Sequence, residues 1–222
     1  MNYHDITYPD MNNGDGLRVV LWLSGCSHRC KGCQNPQTWD INSGIPFDEL
    51  AKEEFFRELD KDYISGLTLT GGDPLYEGNL YDILNLVNEV NKQYNITQHI
   101  DKFRTRNNNI LNQDNNEIYL SLPNKSIWLY SGYKVEKIYN NQFILSPSAN
   151  DIANIEPDYI ISNERTNDKL RNDIISKCTV MVDGQYMENK RDISLQWRGS
   201  SNQRVIDIQQ SLKEGEVVLW KS

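Results

Sequence analysis

Four segments of the chain share one grammar: LWLSGC (Leu21–Cys26), LTLTGGD (Leu67–Asp73), IWLYSGY (Ile127–Tyr133) and VMVDGQY (Val180–Tyr186). Each is a short β-prone run that stops at a polar loop containing glycine. Runs of this kind are expected of strands buried on both faces. Helical or irregular stretches separate them, so the expected assembly is a mostly parallel sheet with helices outside, curled fully or partly into a barrel. The fold class is therefore read as α/β, a partial, open TIM-like β/α barrel. In such sheets the working groups gather at the carboxyl ends of the strands, which predicts that all four loops line one mouth.

The intervening sequence supports this frame unevenly. PFDELAKEEFFRELD (Pro46–Asp60) predicts a helix with Asp48 as N-cap. In NLYDILNLVNEVNKQY (Asn79–Tyr94), Leu80, Ile83, Leu84, Val87, Val90 and Tyr94 form one apolar helical stripe. NNNILNQDNN (Asn107–Asn116) has six asparagines in ten residues, a composition suited to turns. Residues of about 96–122 are therefore read as an insertion with a small hairpin at EIYLSL. A second insertion, at about 141–177, is expected to hold weak strands at FILS (Phe143–Ser146) and DYIIS (Asp158–Ser162) and a short helix at NDKLRNDIISK (Asn167–Lys177). RVIDIQQSLKEGEVVLW (Arg204–Trp220) reads as two strands around a turn. Residues 1–222 are expected to form one domain.

The first of the four loops carries the chemistry, because Cys26, Cys30 and Cys33, three of only four cysteines, fall within GCSHRCKGCQNPQTW (Gly25–Trp39). A disulfide is the plainest reading. The N-terminus is polar from its first residue, without the apolar run of a signal peptide or a spanning helix, so a soluble cytoplasmic protein with reduced thiols is expected. A formal charge of −8 points the same way, since an acidic surface repels the phosphates of nucleic acid and membranes. Structural zinc is the second reading, with Cys178 or His28 as fourth ligand, but it lacks the usual second C-x-x-C pair. The third is an iron-sulfur cubane. A C-x3-C-x2-C loop ligates three of its irons and leaves the fourth open to a non-protein ligand.

GCSHRCKGCQNPQTW resembles the cluster loop of the radical S-adenosylmethionine enzymes, and TLTGGDPL (Thr68–Leu75) resembles their second-strand motif. NPQTW, IWLYSGY, VMVDGQY and LQWRGSSNQRVIDI (Leu195–Ile208) are similar more narrowly to the subgroup that activates anaerobic ribonucleoside-triphosphate reductase. The likeness covers about residues 1–94, 125–135 and 178–208; the two insertions depart from it. It implies one 4Fe-4S cluster held by Cys26, Cys30 and Cys33, with S-adenosyl-L-methionine on the open iron. It further implies reductive cleavage of that cofactor by an electron from an external one-electron donor. The resulting deoxyadenosyl radical would take hydrogen from a glycine of the partner reductase. The backbone around Gly32, Cys33 and Gln34 is implied to flank the adenine or the sulfonium. Gly71 and Gly72, in the motif that holds the methionine part, have no side chain and let the backbone approach a ligand closely. Asp73 is read as accepting from the positively charged amino group of that methionine part. Two rivals stand beside this reading: activation of another glycyl radical enzyme such as pyruvate formate-lyase, and a non-catalytic zinc module.

Other residues keep two readings each. His28 is a solvent-facing loop residue or a donor behind the ligands. Cys178 reads as a small buried apolar residue and Trp39 as packing beneath the cluster loop. Tyr130, Tyr133 and Asp183 end strands at the mouth, where lining a site and capping are both open. Lys190, Arg191, Arg198 and Arg204 form a basic stretch, either a solvated face or a contact with reductase or nucleotide.

Overall fold

Alternation along the strands sorts the side chains into two layers. In β2 (Arg18–Leu23), Val19, Leu21 and Leu23 face one side and Arg18, Val20 and Trp22 the other. β4 (Gly66–Gly71) and β5 (Ser126–Ser131) do likewise, with Leu67, Leu69, Ile127 and Leu129 on the first side and Thr68, Thr70, Trp128 and Tyr130 on the second. The first side meets the helices. These are α1 (Glu49–Leu59), α2 (Leu80–Tyr94) and α3 (Pro157–Ile175), and Phe55, Leu59, Ile83, Val87, Val90 and Ile174 are fully buried there. The computed structural model describes residues 1–94, 125–146 and 157–221, with side chains of α3 from Thr166 onward. The insertion read at about 96–122 lies outside the described residues.

The four segments of shared grammar become four adjacent parallel strands. β2 pairs β4, β4 pairs β5, and β5 pairs β8 (Val180–Asp183), all parallel. Antiparallel strands flank them. β1 (Asn2–Asp10) pairs β2, and β3 (Ile45–Pro46) pairs β1. On the other side β9 (Arg204–Asp207) pairs β8 and β10 (Val218–Leu219) pairs β9. Eight strands thus form one sheet in the order β10-β9-β8-β5-β4-β2-β1-β3, and among the described residues no pairing closes it into a barrel. A separate hairpin joins β6 (Val135–Tyr139) and β7 (Gln142–Leu145). No helix among the described residues is long and apolar enough to cross a membrane.

Asp48 caps α1 by accepting from Ala51 N at 3.0 Å, as its position predicts, although Leu50 is exposed rather than part of the buried stripe. Asn2–Asp10 form a full strand, because an otherwise unpaired edge of β2 accepts them. Two segments differ from expectation. DYIIS is helical: it is the opening of α3, which runs on through the predicted helix at Asn167–Lys177. The C-terminal segment has a helix, α4 (Ile208–Glu214), between its two strands. Asp207 caps that helix by accepting from Gln210 N at 2.9 Å, and Gly215 ends it at φ 74°. These two local signals outweigh the β-prone flanks.

Candidate functional site

In-register pairing brings the four strand ends level, since Leu23 lies opposite Gly71 and Ser131 opposite Asp183. The first two loops are then sewn together through backbone. Gly72 N donates to Leu23 O and Asp73 N to Gly25 O, both at 2.7 Å. A Cβ on Gly72 would stand 2.4 Å from Gly25 O, so only glycine permits this approach. The room that Gly71 and Gly72 leave is thus shared between the cavity they line and the backbone of the cysteine loop.

That loop is anchored at its base, where Gly25 N donates to Thr38 O at 2.7 Å and Cys26 N to Trp39 O at 3.0 Å. At its tip Cys33 N donates to Cys30 O at 3.1 Å and Asn35 N to Cys33 Sγ at 3.3 Å. Cys26, Cys30 and Cys33 are free thiols and all three line one cavity of about 660 Å³. Gln34, Gly71, Gly72 and Asp73 share its wall, and Ser131, Gly132, Gly184 and Tyr186 bring in the third and fourth loops. The single mouth predicted from the shared grammar is therefore present. Gly32 lies outside that wall; it is exposed, and a Cβ there would meet the carboxylate of Glu188.

Burial, followed by the charge of Asp73, pushes the Cys26 thiol up to about 12, and burial raises Cys30 as well. Among the described residues no three His, Cys, Asp or Glu side chains converge closely enough for one metal ion. Cys178 sits in the core with its Sγ donating to Ile174 O at 3.3 Å, away from the other three, as a small buried residue. A zinc site completed by Cys178 is therefore not formed. Three separate thiols around one cavity suit a cubane, which takes one thiolate at each of three corners, better than a single tetrahedral ion.

Asp73 is 2% exposed and already has three hydrogen-bond donors. Leu75 N donates at 2.8 Å, Ser131 Oγ at 2.9 Å and Gly132 N at 3.0 Å, while His28 Nε2 lies 2.9 Å from Oδ2. Burial opposes the charge, but His28 and the two backbone amides outweigh it and hold the carboxyl below its usual range. His28 is not solvent-facing: its side chain is 2% exposed. Its position on the inner side of the cysteine loop, which sequence spacing does not reveal, decides this.

The remaining mouth residues divide. Asp183 is a brace, accepting from Val135 N at 2.8 Å and pairing with Arg204 Nε at 3.0 Å, so Arg204 serves an internal ion pair. Lys190 and Arg191 are exposed. Arg198 lines the cavity and donates from Nη1 to Gln203 O at 3.0 Å. Tyr130 lines the cavity, whereas Tyr133 is buried beside it. The cavity also reaches Met11, Trp22, Leu195 and Trp197, which sequence reasoning did not select. Trp22 was detectable from alternation, since it shares a face with Arg18 and Val20. Trp197 was not, because its φ of 59° and its edge contact with Trp128, ring centroids 5.1 Å apart, are tertiary features.

Comparison with known proteins gives one family. The profile of the 4Fe-4S single cluster domain matches residues 12–120 and 103–206. The chain is 30% identical over 207 residues to the anaerobic ribonucleoside-triphosphate reductase-activating protein of Escherichia coli K12, covering 92% of this chain and 97% of the relative. The protein of the same name from Enterobacteria phage T4 is 34% identical over 205 residues, covering 92% and 93%. That of Vibrio cholerae is 30% identical over 205 residues, covering 91% and 96%.

Proposed function

The chain belongs to the family of anaerobic ribonucleoside-triphosphate reductase-activating proteins, and from that premise we propose that it is a radical S-adenosylmethionine enzyme that installs the glycyl radical on its reductase. The observation that carries the reading is the single cavity into which three free thiols and four strand-end loops face. Cys26, Cys30 and Cys33 are the residues to hold a 4Fe-4S cluster as thiolates. When bound, that cluster supplies the electron for reductive cleavage of S-adenosyl-L-methionine.

The protein's own part is position and exclusion of water. The knit of Gly25, Gly72 and Asp73 fixes the cysteine loop against the second strand. Gly71, Gly72, Cys33 and Gln34 form the wall available to the nucleoside. Gly32 contributes by letting the loop turn, at φ 76°, and not by contact. Asp73 would accept from an amino group in addition to its three present donors. The open sheet is read as the partial barrel of the radical enzymes. Residues 1–222 are read as one domain, and free thiols suit a reducing cytoplasm with an external one-electron donor. The relatives' names favour the reductase over pyruvate formate-lyase as target.

Anaerobic reconstitution with iron and sulfide tests this. Wild-type protein is expected to cleave S-adenosylmethionine and to raise a glycyl radical signal on the reductase. Single Cys→Ala changes at 26, 30 or 33 should abolish cleavage, and Cys178→Ala should not. Retained cleavage by Cys30→Ala would end the proposal.

A further inference from the structure

His28 meets each of the other three loops of the mouth. Its Nε2 lies 2.9 Å from Asp73 Oδ2 of the second loop, close but without the alignment of a hydrogen bond, and its Nδ1 accepts from Gln185 Nε2 of the fourth loop at 3.0 Å. Its ring meets Tyr133 of the third loop edge-on, centroids 4.8 Å apart. It also fills the place a side chain at Gly132 would take, since a Cβ there would stand 2.3 Å from His28 Cδ2. One imidazole between two of the cysteines is thus packed or bonded to the other three loops.

The contact continues outward. Tyr133 Oη accepts from Arg171 Nη2 at 2.9 Å, and the guanidinium carbon lies 4.6 Å from the centre of its ring. Arg171 Nε donates to Leu75 O at 3.1 Å, within the second loop, and Nη1 to Asp168 at 3.0 Å. Arg171 is 7% exposed and stands on α3. A buried guanidinium with a fixed fork is a rigid support.

We infer that Arg171, Tyr133 and His28 form a strut from α3 to the cysteine loop, and that these positioning residues hold the loop in its cluster-ready shape before any cluster binds. The inference concerns the cluster-free chain and rests on the proposed function only for the word cluster. Outer partners of metal ligands commonly matter 10- to 100-fold to metal retention, so an effect on that scale is expected.

Hydrogen exchange on the full cluster-free chain tests it first. In His28→Ala the amides of Cys26 and Cys33, bonded in the native loop, should exchange roughly tenfold faster or more. Tyr133→Phe, which keeps the ring edge but loses the hydroxyl that Arg171 holds, should give a smaller increase, as should Arg171→Met. Cys178→Ala serves as a control for general destabilisation and should leave both amides unchanged. Unchanged protection in a folded His28→Ala protein, or equal acceleration in Cys178→Ala, overturns the strut. In reconstituted protein, iron loss to a chelator should follow the same rank order. A wild-type chain that took up no cluster would defeat the proposed function while leaving the exchange result intact.

Discussion

Replacing Asp73 with alanine separates two roles for that carboxylate, a ligand group for the cofactor and a brace for the fold. The structure gives the brace a size. Removal strands the Leu75 and Gly132 amides and the Ser131 hydroxyl, which now donate to the carboxylate at 2.8–3.0 Å. A stranded buried donor costs about 1–3 kcal/mol, and the hydroxyl can turn elsewhere, so a loss of about 4 kcal/mol is expected. With a urea m-value of about 3 kcal/mol per molar, that moves the midpoint down by roughly 1.3 M. The assay is urea unfolding of cluster-free protein at neutral pH, followed by circular dichroism. The sign with pH is fixed by the direction of the shift. A carboxyl held below its usual range stabilises the fold fully above the unfolded value and loses that contribution as pH falls through the folded one. Asp73→Asn should therefore flatten the acid limb of the stability profile. A midpoint within about 0.3 M of wild type, combined with loss of cofactor affinity by calorimetry, would refute the brace and restore the carboxylate as a ligand group.

Other outcomes follow from single contacts. Gly72→Ala should destabilise the cysteine loop severely, because the new Cβ meets the backbone oxygen of Gly25 at 2.4 Å and neither loop has room to retreat; reduced iron uptake at constant secondary structure is the readout. In cluster-free protein Cys26, whose thiol is pushed up to about 12 mainly by burial, should alkylate with iodoacetamide at pH 8 much more slowly than a free thiol. Asp183→Asn leaves Arg204 without its carboxylate and should cost about 3 kcal/mol in thermal or chemical unfolding.

The parallel core was legible because alternation and strand-ending glycines are local. Leu21, Leu67, Ile127 and Val180 announce four strands, and glycine marks where each must turn. The cysteine spacing was legible for the same reason. What escaped was decided by partners distant in sequence. β1 is polar and becomes a strand only because β2 offers it an edge. DYIIS alternates weakly enough to suit a strand, yet it is helical as the start of a nineteen-residue helix. Asp73 reads from sequence as a free acceptor at a strand end, and only folding brings Ser131, Gly132 and His28 around it. Arg204 reads as surface charge until Asp183 is seen beneath it.

Tyr94, which ends α2, and Lys125, just ahead of β5, both stand at the amino ends of the strands, opposite the mouth. Tyr94 Oη donates to Asp60, and Lys125 Nζ donates to Ile64 O at 2.6 Å and Lys61 O at 2.9 Å, so both anchors grip the same turn ahead of β4. A change in the length of chain between those anchors leaves both gripping the same turn, and each doubling of such a crossover adds only about 0.6 kcal/mol of closure entropy.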